Sequence, residues 1–442
     1  MAKLITRIAN GKLWLKDQII ERDVIINDDK IRSIIRRTET ANVDKVINAE
    51  GAIVLPGLID SHVHLRDGEL AYKEDFNTGT KAAVAGGFTL VIDMPNMIPP
   101  TSTIERLLER ISIAKNKILC DVGFYAMPTK IDQLYSLAKA GCFGFKIYTH
   151  RIFEEADFSD PVLLGELIRE VKKIGLPLVI HAENPAKFNS LGENFDAVDH
   201  AWSHPPEAES SMINTILNIA RNLDLEIHFC HISTSEGIRT LTNAKSSNHN
   251  IKIEVTPHHL CLDSSILEQC RKKCVVEPPL RDSSHVFSLR EALWNNNIDL
   301  ISTDHAPHTL SEKNSDKPIG GFPGLETAIP VLLTYIKKGI LPFSNTIRCL
   351  TEQPSKILPV TDHGAIEENK IANLTFVKFV PPYKIDPSKF YSKAKYSPFE
   401  DFVAEAAVMR TIVRGETVFT KEEGTLDIIK GKTVERPYEV YS

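Results

Sequence analysis

The stretch Asp60-Ser61-His62-Val63-His64-Leu65-Arg66 concentrates groups that bind cations and anions. In an extended chain successive side chains alternate between faces, so His62, His64 and Arg66 share one face and Val63 and Leu65 the other. Two imidazoles so spaced can grip one metal ion. An isolated pair of this kind is more often a pair of core or surface histidines. Here, however, ligand-type side chains also close other apolar runs: His181 in Val179-Ile180-His181, His231 in Phe229-Cys230-His231 and Asp304 in Thr303-Asp304-His305. Each alone reads as a buried polar group satisfied by the backbone; together they read as a metal centre built from several strand ends. Lys146, in Phe145-Lys146-Ile147-Tyr148, is the odd member, because an ammonium ion neither ligates a metal nor suits an apolar strand. Burial beside cations favours a neutral amine. Such an amine can add carbon dioxide, giving a carbamate whose two oxygens bridge two metals. An ion pair with a neighbouring carboxylate is the other reading of this lysine.

These side chains need a frame that brings strand ends to one rim. Apolar runs at about 58–65, 89–93, 119–126, 143–148, 177–182, 226–231, 251–256 and 299–303 alternate with helical patterns such as Ile104 to Ile113 and Glu166 to Ile174. Eight is the strand number of a (β/α)8 TIM-like barrel, whose active sites lie at the strand ends. Before it, short β-branched runs are punctuated by Asn10-Gly11, Asn27-Asp28-Asp29 and Glu50-Gly51, and after about residue 360 strand-like segments return. The expected organisation is therefore 1–55 and 361–442 as two halves of one small composite β-sandwich domain, with a barrel over 56–360 between them. Lys313 to Pro323, with Gly320-Gly321, reads as a mobile loop.

A formal charge of −6 gives no attraction to nucleic acid or anionic membrane, and charges interrupt every apolar stretch before membrane length. Seven scattered cysteines argue against a disulfide framework and for a reducing, cytoplasmic setting. Cys270 and Cys274 lack a matching second pair and read as incidental.

The chain resembles the dihydroorotases of the amidohydrolase superfamily through nearly the whole barrel. The resemblance rests on His62-Val63-His64-Leu65-Arg66-Asp67, Lys73-Glu74-Asp75-Phe76, Asp93-Met94-Pro95-Asn96, Thr256-Pro257-His258-His259-Leu260, Asp304-His305-Ala306-Pro307-His308-Thr309 and Gly321-Phe322-Pro323-Gly324. It implies two zinc ions, one held by His62, His64 and Asp304 and the other by His181 and His231, bridged by carboxylated Lys146. It also implies that Arg66 and Asn96 hold a substrate carboxylate, with a further contact from His308. For Arg66 the chemistry agrees, since a guanidinium offers a planar fork to a carboxylate. The implied reaction is reversible closure of N-carbamoyl-L-aspartate to dihydroorotate, a step of pyrimidine biosynthesis, with Asp304 as general base. Partners would be the small-molecule substrate, a second copy in a homodimer and another enzyme of the pathway. The rivals are a hydantoinase, dihydropyrimidinase or allantoinase, and an inactive scaffold relative.

Three features depart from the pattern or add to it. Asp67 is followed by Gly68-Glu69 where the family has Pro-Gly, and Glu277 stands where many relatives carry Asn; Arg281 is the partner expected to neutralise it. Cys230 and Glu254 lie near the rim by strand position and could add soft and hard ligands, although a buried thiol and a carboxylate orienting a ligand are the plainer readings. His258 and His259 would orient ligands; His150, His200, His204, His228, His249, His285 and His363 read as structural or solvated. The loop from about Thr149 to Ser159 sits where a substrate lid would lie.

Overall fold

The computed structural model describes residues 4–247 and 250–438, so His249 lies outside the described residues. It is an α/β structure. Eight parallel strands run at Leu58–Val63, Phe88–Asp93, Asp121–Phe124, Phe145–Tyr148, Leu178–His181, Ile227–Phe229, Ile251–Val255 and Leu300–Ile301, each at a run the sequence marks. They form a three-stranded and a five-stranded sheet in sequential order. Isolated parallel bridges join Ala126 to Phe145 and Val63 to His305 across the gaps between those sheets.

Most of these strands are wholly buried, as expected of parallel strands covered by helices on one face and by each other on the opposite one. The period of two is visible in the packing. Leu58, Val91, Phe145, Ile147, Leu178 and Ile180 join the large cluster under the helices. Ile59, Leu90, Ile92, Val179 and Cys230 point the other way into a separate cluster. Lys146 pairs in register with Val179 and so shares this second face.

The helices start and stop where local chemistry dictates. Pro161–Ile174 begins with the Asp160 carboxylate accepting from the Val162 N–H and ends at Gly175, whose φ of 80° suits a residue without Cβ. Ile104–Ala114 opens on Thr103, whose hydroxyl accepts from the Arg106 N–H.

The amino- and carboxy-terminal segments interleave. Lys12–Leu15, Gln18–Glu21 and Ile53–Pro56 belong to a seven-stranded sheet with Leu374–Lys384, Val403–Val413, Glu416–Thr420 and Gly424–Thr425. A four-stranded sheet of Ile5–Ala9, Asp23–Asn27, Lys30–Ile35 and Lys45–Asn48 packs on it through Ile8, Val24, Ile26, Val54, Leu374 and Ile412. Asp121 ties this module to the third parallel strand. It accepts from Arg414 through both oxygens at 2.9 Å and from the Lys432 N–H at 2.8 Å, and it lies 2.9 Å from His363 Nε2.

Two expectations change. Cys270 and Cys274 form a disulfide, because the helix Leu267–Cys270 runs into a 3-10 turn over Arg271–Cys274 that brings their Cα atoms to 5.7 Å. The segment after Lys313 is tied down: the buried Lys313 ammonium donates to the carbonyls of Val275, Ile319 and Gly321 at 2.8, 2.9 and 3.0 Å. Among the described residues no helix is long and apolar enough to cross a membrane.

Candidate metal centre and anion pocket

The ends of the parallel strands bring the predicted ligands together. Ring centres run from His64 to His62 at 5.5 Å, His62 to His231 at 5.3 Å and His231 to His181 at 4.5 Å. Asp304 Oδ1 lies 3.3 Å from His62 Nε2 and 3.2 Å from His64 Nε2. Arg66, His231 and Asp304 take φ of 55°, 38° and 48° at their strand ends. Such conformations cost roughly 1–3 kcal/mol each and persist where surroundings fix them. Here the His231 N–H is held by Glu254 at 3.1 Å, and the residue before Asp304 is held by Thr303 Oγ1 donating to Asp60 at 2.6 Å.

Tautomers follow from the partners. His62 Nδ1 donates to Glu254 Oε1 at 2.8 Å and His64 Nδ1 donates to Asn96 Oδ1 at 2.7 Å, so both Nε2 atoms present lone pairs to the Asp304 carboxylate. Burial holds both imidazoles below their ordinary value and therefore neutral. Two lone pairs beside a carboxylate oxygen repel unless a cation sits among them. His181 Nε2 donates to Glu183 Oε2 at 2.7 Å, which leaves its Nδ1 free to ligate, and burial pulls its pKa down to about 3. His231 Nδ1 is buried without a hydrogen-bond partner among the described residues. His62, His64 and Asp304 place their ligand atoms within 4.8 Å of one another, as do two further sets, His62, Cys230 and Glu254, and His150, His181 and Glu183. The donor set fits divalent metal ions. Lys146 is fully buried, 3.0 Å from Cys230 Sγ, with no carboxylate at ion-pair distance among the described residues; the ion pair its sequence left open is not formed.

Arg66 lies beside this rim, 5% exposed. Among the described residues it has no carboxylate within ion-pair distance; its side chain meets His308 Nε2 at 3.2 Å and its Nε is buried without a partner. Since Asn96 Oδ1 is taken by His64, the Asn96 amide N–H2 is left to donate into the same space. A buried cation flanked by donors is a receptor awaiting an anion.

Residues 53–418 match the model of the amidohydrolase family. A dihydroorotase of Methanosphaera stadtmanae is 34% identical over 412 residues, covering 90% of this chain and 92% of the relative. One of Methanothermobacter thermautotrophicus is 34% identical over 425 residues, covering 93% and 95%. The chain belongs to the amidohydrolase family. Among solved structures, the L-hydantoinase (dihydropyrimidinase) of Arthrobacter aurescens matches with a TM-score of 0.92 at 27% identity, covering 98% of this chain and all of that one.

In this amidohydrolase several side chains have partners other than those expected. Glu277 is neutralised by Arg151, at 2.5 and 2.7 Å, and lies 3.2 Å from His150. Arg281 instead donates to the His204 carbonyl and Ser233 Oγ. His150 is no bystander: it lines the pocket, its ring 4.0 Å from that of His181. Sequence reasoning reads it as structural or solvated and misses Arg151; their place in the candidate lid is the available signal. Glu254 orients His62 and holds the His231 backbone, and Cys230 faces Lys146. His259 is spent on Thr256 and the Pro278 carbonyl, whereas His258 Nε2 is buried without a hydrogen-bond partner among the described residues. With Arg151 on Glu277, the cavity over the rim is about 70 Å3, below the roughly 300 Å3 at which ligand pockets begin. The larger cavity of about 900 Å3 lies beside Cys270 and Lys272 and includes none of the rim ligands.

Proposed function

We propose that this amidohydrolase is a dihydroorotase, opening dihydroorotate and closing N-carbamoyl-L-aspartate at a pair of zinc ions. The observation that carries the reading is Arg66: a buried guanidinium with no carboxylate at ion-pair distance among the described residues, beside a metal-competent rim and two further donors, suits a cyclic amide bearing a free carboxylate. Hydantoin, dihydrouracil and allantoin offer no such group.

On this reading the eight parallel strands close into one (β/α)8 barrel over 56–360, supported by the two isolated bridges and the shared inward cluster. Residues 1–55 and 361–442 supply the two halves of the small β domain. His62, His64 and Asp304 would hold one ion, His181 and His231 the other, with carboxylated Lys146 between them. Bound divalent ions would supply Lewis-acid polarisation of the amide carbonyl and an acidified water.

The chain's own residues do the rest. Arg66, Asn96 and His308 fix the ring by its carboxylate and so set which carbonyl faces the rim. Asp304 takes the proton of the attacking water during opening and returns it to the departing ring nitrogen; closure runs the same transfers in reverse. Glu254 and Glu183 hold the His62 and His181 rings in the ligating tautomer. Release of Arg151 from Glu277 would widen this small cavity for the ring, making Thr149 to Ser159 the lid. Retention of every ligand type argues against an inactive scaffold.

The test is turnover of dihydroorotate against hydantoin, dihydrouracil and allantoin by metal-loaded protein, with metal content measured alongside. Preference for any neutral ring would overturn the assignment; absence of both metal and turnover would favour the scaffold.

A further inference from the structure

Lys73 lies outside the ligand set, yet it decides what His308 can do. Its ammonium sits 3.2 Å from His308 Nδ1, on the side of the ring away from the pocket. On the pocket side, His308 Nε2 is 3.2 Å from Arg66 Nη2. Both neighbours are obligate donors, whereas a neutral imidazole has one N–H and one lone pair. One side must therefore bring two donors together. If the proton were on Nδ1, it would face the Lys73 ammonium, which does not line the pocket, with Glu312 3.8 Å away. That carboxylate is already engaged by Lys73 at 2.8 Å and by Thr309 N at 2.9 Å. If the proton is on Nε2, the two converging donors are Nε2–H and the guanidinium of Arg66, and an anion entering the pocket accepts from both.

We infer that Lys73 is a positioning residue: its ammonium donates to His308 Nδ1, confines the imidazole to the Nε2–H tautomer and so turns it into a donor for the substrate carboxylate. The inference rests on the dihydroorotase reading for the identity of the anion, but not for the tautomer. Burial keeps the ring neutral, with its pKa drawn down to about 3, so tautomer rather than charge is the variable. The His308 backbone is fixed independently, its N–H donating to Tyr396 Oη at 3.3 Å. Loss of Lys73 therefore changes the proton's address more than the ring's place.

The test combines nitrogen NMR with kinetics. In protein labelled at histidine nitrogens, the His308 signals are assigned by their loss in His308→Asn. The wild type is expected to show a protonated Nε2 and a lone pair on Nδ1. Lys73→Met is expected to mix the tautomers and raise KM for dihydroorotate about tenfold, the equivalent of one hydrogen bond to a charged group, with kcat within twofold. Lys73→Arg should restore both. Glu312→Gln breaks the Lys73 ion pair but leaves the ammonium in place, and should keep the tautomer. A wild-type proton on Nδ1 would overturn the inference, as would a Lys73→Met defect in kcat alone or one reproduced by Glu312→Gln. If the wild type fails to turn over dihydroorotate, the functional reading falls, while the NMR result still decides the tautomer.

Discussion

Replacing Arg66 with Met removes the guanidinium while keeping much of its stem. The attraction between unit charges 4 Å apart is about 4 kcal/mol at an effective dielectric of about 20, and truncating one partner of a buried, hydrogen-bonded charge pair costs about 2–5 kcal/mol. At 1.36 kcal/mol per decade, kcat/KM for dihydroorotate should fall about 30- to 5,000-fold. Asn96 and His308 remain as donors, which places the expected loss near a hundredfold. The folded state should not suffer, because among the described residues Arg66 has no carboxylate at ion-pair distance and its Nε has no hydrogen-bond partner; removing a buried cation that lacks an ion pair leaves the melting temperature unchanged or raises it. The assay measures ring opening of dihydroorotate and of dihydrouracil, which lacks the carboxylate, together with thermal melting. Discrimination between the two rings should collapse by the same factor. An equal loss on both would show that Arg66 acts on the reacting amide or on the metals, and the carboxylate-receptor argument would fail.

Glu254→Gln should leave the fold intact but weaken the hold on His62, lowering metal affinity about 10- to 100-fold; metal titration of the apoprotein reads this directly, and unchanged affinity would count against the orienting role. Burial raises the Asp304 carboxyl from its ordinary range to about 6, and bound cations would pull it back down from there. Protonated Asp304 assists closure below that crossing and ionised Asp304 assists opening above it, so the two directions should show opposite pH preferences; superimposable rate profiles would refute a single-carboxylate scheme. With Cys270 and Cys274 paired, the unfolded, unreduced chain should titrate five thiols and the reduced chain seven; seven before reduction would exclude the bond. Glu277→Gln should loosen the Arg151 contact and speed proteolytic cleavage within 149–159, and an unchanged rate would speak against that contact as the lid's latch.

The strands and the ligand face were legible in the sequence because both depend on short-range rules. A buried parallel strand must be apolar along its length, so all eight runs stand out, and alternation puts His62, His64 and Arg66 on one side before any contact is known. Lys146 was conspicuous for the same reason, as a charge where the period demands an apolar group.

What only the tertiary structure decided are pairings between residues far apart in the chain. Glu277 takes Arg151 rather than Arg281, 126 positions away rather than four, while Arg281 is engaged by Ser233 and the His204 carbonyl. His150 joins the rim because the loop folds back over His181. The Cys270–Cys274 bond depends on a turn with Arg271 at φ 45°, which spacing does not disclose. Sequence periodicity specifies which way a side chain faces along its own strand; which donor meets which acceptor across the rim is set by the packing of strands and loops around it.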